Sequence, residues 1–203
     1  MRHTVICLVR HGQSIWQLCP SDDLDAPLTP VGHEQSKLTG RWLSDHHSVD
    51  GDPTKLITSV RVSPLRRALQ TATYVCDGLG IQPVTQGSLL EAGFHVADHL
   101  PMRLIPLEEW EIRTASPPYL AFRAQVKEAL SELIDASAAQ NGEVLAVTHG
   151  AFIETALRLV IGNDAVRFPL CNASLTVLTW KHGRWHVPLL NFTGHLPSDL
   201  HTD

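Results

Sequence analysis

Apolar residues fall along this chain in two rhythms. Short runs rich in apolar and β-branched residues, at residues 5–9, 56–62 and 144–148, read as strands. Between them lie stretches in which apolar positions return every three to four residues, the period of a helix packed on one side. Residues 28–46 are the first such stretch. Thr29 supplies an N-cap, Pro30 takes the first helical position, and Gln35, Leu38, Trp42 and Leu43 continue it. A second helix is predicted over 64–79, opened by Ser63-Pro64 and stopped by Gly78 and Gly80, with Leu65, Ala68, Leu69, Ala72 and Val75 on one face. A long helix is predicted over 118–139, ended by Asn141-Gly142, and another over 151–161, ended by Gly162.

Smaller pieces complete the order. Residues 14–18 suit a helical turn, 83–85 a short strand, and 87–93 a loop holding Glu91. Residues 175–180 and 184–189 suit a hairpin around Lys181-His182-Gly183. Prolines and aspartates mark 19–27 and 50–53 as loop and turn. The stretch 94–118 is the least regular; it carries four prolines and the cluster Glu108-Glu109-Trp110-Glu111, with a short helix expected near 107–112. The tail, 191–203, is polar and is expected on the surface.

Strands that alternate with helices define an α/β fold. The expectation is a three-layer sandwich: a mostly parallel central sheet with right-handed crossovers, helices on both faces, and the late hairpin as antiparallel neighbours at one edge. The whole chain, 1–203, reads as one domain in which 94–118 is a cap insertion across the mouth of the sheet.

Composition narrows the partners. With 43% hydrophobic and 18% charged residues the chain is an ordinary globular one. Its net charge of -5 argues against nucleic acid, which attracts basic surfaces. No apolar run approaches the roughly 20 residues that span a bilayer, and with the first strand starting at once no signal peptide is expected. Cys7, Cys19, Cys76 and Cys171 have no CxxC spacing and read as free thiols in a reducing cytoplasm. Oligomeric state is open, a homodimer included. Most of the twelve histidines read as surface or core residues; His95 and His99, four apart, are a weak metal pair beside Pro101.

The chemistry gathers where strands end. The first run stops in Arg10-His11-Gly12, a cation and an imidazole at the carboxyl end of a buried strand, where open α/β sheets bind ligands. The second gives way to Arg66 and Arg67 in the first turn of a helix. The third stops in His149-Gly150, again at a helix start. If the three strands are parallel neighbours, these junctions open on one edge. Guanidinium forks and helix N-termini there favour a concentrated negative charge such as a phosphoryl group.

These motifs resemble those of the histidine phosphatase superfamily, which includes the phosphoglycerate mutases. Arg10-His11-Gly12-Gln13-Ser14 is similar to its RHG-x-T signature. Leu28-Thr29-Pro30-Val31-Gly32-His33-Glu34-Gln35 resembles its LT-x-x-G-x-x-Q segment. Residues 63–72 resemble its S-x-L-x-R-A-x-x-T-A helix start, which aligns Arg67 with the second phosphate-binding arginine. Val147-Thr148-His149-Gly150 resembles its second histidine motif, and Asn172-Ala173-Ser174 its late asparagine-x-serine. The segments stand in the family's order over nearly the whole chain.

The resemblance implies His11 as nucleophile, forming a phosphohistidine and splitting hydrolysis into two displacements. Arg10, Arg67 and His149 would hold the non-bridging oxygens, and Glu91 would protonate the leaving alkoxide. Glu108, Glu109 and Glu111 are alternatives for that acid. Ser14 and Gly150 would shape the phosphate cradle. Gln17 stands where many members have an asparagine that touches phosphate, and is a candidate phosphate contact; Ala92-Gly93-Phe94-His95-Val96 departs from the family's glycine-aromatic-glutamate-glycine run. Positive charge comes from the arginines, so no metal and no cofactor are called for. The implied activity is a metal-independent phosphomonoester hydrolase acting on a small phosphorylated metabolite. A cofactor-dependent phosphoglycerate mutase is the alternative; a non-catalytic phospho-ligand binder and a histidine-rich metalloprotein stand further off.

Overall fold

The structure, a computed structural model, describes residues 3–20, 23–49, 55–101 and 115–203. The expected turn at 50–53, the helix near 107–112 and the cluster Glu108, Glu109, Trp110 and Glu111 lie outside the described residues.

Six strands form one sheet: β1 (Thr4–Arg10), β2 (Ile57–Val62), β3 (Pro83–Thr85), β4 (Glu143–Thr148), β5 (Leu175–Lys181) and β6 (Arg184–Phe192), in the order β3-β2-β4-β1-β5-β6. The β1–β4, β2–β4 and β2–β3 pairs are parallel; β5 runs antiparallel to β1, and β6 to β5. The sheet is therefore mixed, with the late hairpin at one edge as its sequence suggests.

Alternation along β1 explains the layers. Ile6 and Leu8 face one side and pack with Phe122, Val126 and Leu133 of α4 (Pro117–Gln140) and Phe152 and Ile153 of α5 (Gly150–Ile161). Val5, Cys7 and Val9 face the other side, with Leu43 of α2 (Pro30–His46) and Ala68, Ala72 and Val75 of α3 (Arg66–Leu79). Each fully buried branched side chain contributes about 1.5–3 kcal/mol relative to exposure. A short α1 (Ile15–Leu18) fills the turn expected over 14–18.

Helix starts follow the caps in two places and not in a third. Thr29 Oγ1 accepts from Gly32 N at 3.0 Å, and Ser116 caps α4 in front of two prolines. Ser63 does not cap α3. That helix begins at Arg66 with Leu65 as N-cap, and the Ser63 hydroxyl faces elsewhere. Gly78 is likewise no terminator: it lies inside α3, where an added Cβ would sit 2.5 Å from the Gly40 carbonyl oxygen of α2. Gly80, at φ 68°, ends the helix.

The tail differs most from expectation. Residues 191–192 belong to β6, Leu196 is buried, and Leu200, Thr202 and Asp203 hydrogen-bond into the body of the protein. A polar sequence there serves buried polar partners, which periodicity does not reveal.

Candidate active site

Register brings the three strand ends together. Arg10 pairs with Thr148 across β1 and β4, and Val62 with Val147 across β2 and β4. Just past the strands, His11 N donates to Thr148 O at 3.0 Å and Ser63 N to Val147 O at 3.0 Å. His11, Ser63 and His149 thus leave the sheet side by side.

His11 is 4% exposed, and both ring nitrogens are engaged. Nδ1–H donates to the Gly12 carbonyl at 2.7 Å, which leaves the lone pair on Nε2. Arg67 Nε donates to that lone pair at 3.0 Å. Burial first, and then the charges of Arg67 and Arg10, hold the imidazole well below its usual range despite the bond to Gly12. These causes favour the neutral ring, which keeps a lone pair on Nε2. Close packing keeps the loop in place: a Cβ on Gly12 would collide with the Gly32 carbonyl, and Gly12 N donates to Thr71 Oγ1 at 3.1 Å.

Adjacent arginines separate clearly. Arg67 is buried, donates a second bond to Leu24 O at 2.7 Å and lines the cavity. Arg66 is exposed beside Asp25, its amide donating to Asp25 Oδ1 at 2.6 Å. Arg10 hydrogen-bonds the Leu170 carbonyl through its terminal nitrogen, while its buried Nε has no partner among the described residues. Gly150 lies against it: a Cβ there would approach Arg10 Nε to 3.3 Å.

His149 is wholly buried at the head of α5, its ring centroid 5.1 Å from that of His11 at an interplanar angle of 62°. Burial and the neighbouring His11, Arg67 and Arg10 hold it well below the usual histidine range. Its Nε2 lies 2.7 Å from Ser63 Oγ, and its Nδ1 has no partner among the described residues.

Glu91 hangs over this floor. Ala92 N donates to its Oε1 at 3.0 Å, and Ala151 N, at the start of α5, to its Oε2 at 3.4 Å. Burial raises its pKa; those two amides and the two arginines pull the other way. Gln125 holds the preceding loop from α4, donating to Ser88 O at 3.1 Å and Leu90 O at 3.0 Å.

Arg10, His11, Ser14, Gln17, Arg67 and Glu91 line a cavity of about 530 Å³. Arg10, Glu91 and Gly150 also wall a neighbouring one of about 250 Å³. His149 is wholly buried and packs edge-on against the His11 ring, without lining either cavity itself. Gln17 is committed within the protein: Oε1 accepts from Ser14 N at 2.9 Å, and Nε2 donates to Asn172 Oδ1 at 3.0 Å and Asp203 O at 2.5 Å. Asn172, fully buried, donates to His11 O at 3.3 Å. Its importance to the loop was visible only as a short motif in the sequence. The histidine pair at 95 and 99 is divided, His95 against Asp98 and His99 against Ser116.

An imidazole whose Nε2 lone pair is met by a guanidinium, with a second guanidinium beside it at the carboxyl ends of parallel strands, defines the class of a phosphoryl-handling α/β protein. Residues 6–193 match the profile of the histidine phosphatase superfamily (branch 1), and the chain belongs to that family. It is 30% identical to a Bacillus subtilis protein named uncharacterized phosphatase PhoE, over 95% of this chain and 97% of that one. It is 24% identical to the probable phosphoglycerate mutase GpmB of Yersinia enterocolitica, over 89% and 86% of the two chains. Among solved structures, the phosphoserine phosphatase of Entamoeba histolytica in complex with 3-phosphoglyceric acid superposes with a TM-score of 0.70 at 22% identity, covering 96% of this chain and 100% of that one.

Proposed function

We propose that this enzyme is a metal-independent phosphomonoester hydrolase that works through a phosphohistidine on His11. The observation that carries the reading is the His11 ring: neutral, its Nδ1 fixed by Gly12, its Nε2 lone pair at the cavity floor beside Arg10 and Arg67. As the substrate enters, the Arg67 Nε–H moves from Nε2 to a phosphoryl oxygen. Nε2 then attacks phosphorus, the P–O ester bond breaks, and protonated Glu91 gives its proton to the leaving alkoxide. Water next attacks the phosphohistidine, the Glu91 carboxylate takes a water proton, the P–N bond breaks and inorganic phosphate departs. Arg10, Arg67 and His149 neutralise charge on the non-bridging oxygens in both steps. Ser14, Gln17 and Gly150 hold the backbone of the cradle, with Gln17 acting through Ser14 and Asn172 rather than on phosphate.

The walls bear on the substrate. Beyond the cationic floor the cavity is bounded by Trp16, Leu24, Leu65, Leu90, Phe94 and Val96. Both of its arginines sit at the phosphate end, so the rest of the ester is read as small and largely apolar. Phosphoglycerate carries a second anionic group, which a wall that is apolar but for His95 among the described residues favours less than a neutral leaving group, and we read this as hydrolysis rather than the mutase. The described part of 94–118, at Phe94 to Val96, lines the cavity as a cap would, within one domain spanning 1–203.

Rapid-quench mixing with a 32P-labelled aryl phosphate tests the reading. A burst of acid-labile, base-stable phosphoprotein that disappears in His11→Ala supports it; turnover with no such species refutes it. Isomerisation of 3-phosphoglycerate, with and without 2,3-bisphosphoglycerate, separates the mutase.

A further inference from the structure

We propose that Ser63 is a positioning residue that fixes the tautomer of His149, presenting Nδ1–H to the phosphoryl group. The inference rests on the phosphoryl-transfer reading and deepens it. Ser63 is fully buried, and its hydroxyl meets two groups whose roles fit one arrangement. Leu65 N lies 3.5 Å from Ser63 Oγ and donates to it. With that amide as donor, the serine proton is free for the other neighbour, His149 Nε2, at 2.7 Å. Nε2 is then the acceptor and the ring proton is on Nδ1. The opposite tautomer would turn both Nε2–H and Leu65 N–H on one hydroxyl oxygen and leave the serine proton without an acceptor among the described residues.

The buried Nδ1, without a partner among the described residues, is explained on this view. A wholly buried donor without an acceptor is costly, and such atoms are rare unless a ligand completes them. The ring is 5.1 Å from that of His11, so oxygens on a phosphorus bonded to His11 Nε2 come within its reach. A lone pair in that place would repel the same oxygens. The serine that opens the 63–72 motif therefore serves the second histidine and not the helix that follows it.

The test begins with the unaltered protein. In 15N NMR, with the His149 signals assigned by their loss in His149→Ala, Nδ1 is expected to be the protonated nitrogen and Nε2 the bare one. Saturation with inorganic phosphate is expected to shift the Nδ1–H signal. An Nε2–H tautomer, or an Nδ1–H signal indifferent to bound phosphate, overturns the proposal. In Ser63→Ala the Nδ1–H population is expected to fall and kcat to drop about 10–100-fold, the range seen when a partner that orients a functional histidine is removed. Ser63→Thr is expected to recover both. A Ser63→Ala enzyme with the wild-type tautomer and kcat also overturns it. These outcomes are distinct from failure of the parent reading, which shows as unaltered protein that forms no phosphohistidine whatever the tautomer of His149.

Discussion

At the floor of the cavity side chains are held from several directions. His11 is bonded through both ring nitrogens, Arg67 reaches His11 and Leu24, and Asn172 binds the His11 carbonyl and Gln17. On the walls, Trp16 and Leu24 are 40% and 57% exposed. Phosphoryl transfer depends on groups already aimed at the transition state, so slack at the floor is expensive. Recognition of an apolar leaving group depends on area removed from water, which tolerates movement. Floor substitutions should therefore change rate, and wall substitutions should change preference between substrates.

The strongest challenge to that contrast is His11→Ala. It is expected to remove turnover by about 10^6-fold, as deletion of a hydrolase nucleophile does, while leaving phosphate binding measurable by calorimetry. Glu91→Gln is expected to slow esters with poor leaving groups by about 10²–10⁴-fold, and aryl phosphates far less. Its pH profile carries the sign. Burial raises the Glu91 pKa, so the acid form persists to higher pH, and phosphorylation falls as pH rises through that value; the Gln variant should lose this descending limb. Arg67→Ala is expected to lower kcat/KM by about 10²–10³-fold for every ester alike, and Lys should restore little, since it lacks the fork.

Wall changes are expected to be smaller and selective. Trp16→Ala should lower kcat/KM for 1-naphthyl phosphate by about tenfold, within the range for a lost apolar contact, and leave glycerol phosphate nearly unchanged. Equal losses on both would erase the distinction between floor and wall. The smallest effect concerns folding. His11 and His149 are held well below the usual range, and burial pushes His195 down to about 4. Unfolded chains take up these protons first as pH falls through about 6.5, so stability drops on acidification. The melting temperature should fall between pH 7 and pH 5, by about 2–4 °C for each kcal/mol lost.

Much of this was legible before any fold was known. Apolar runs identified β1 and β4, because strands buried on both faces leave no polar phase, and β-branched composition identified β2. Thr29-Pro30 and Gly162 marked helix ends through purely local geometry, and they stand where the pattern put them. Arg10-His11 and His149 could be singled out because a cation or imidazole straight after such a run has few other reasons to be there.

Other features could not be read from neighbours in sequence. Arg66 and Arg67 are alike to any local rule; one faces Asp25 and solvent, the other His11, and only the orientation of α3 against the sheet chooses. Ser63 looks like a helix cap and instead meets a histidine 86 positions away. Gln17, Asn172 and the tail are joined by bonds that span more than 150 residues of chain for Gln17–Asn172 and Gln17–Asp203. Periodicity and capping act over a few residues, so the chain alone determined the elements and the chemistry carried at their ends. Hydrogen bonds between distant segments exist only once the layers have packed, and that packing decided which side chains face the cavity and which hold them there.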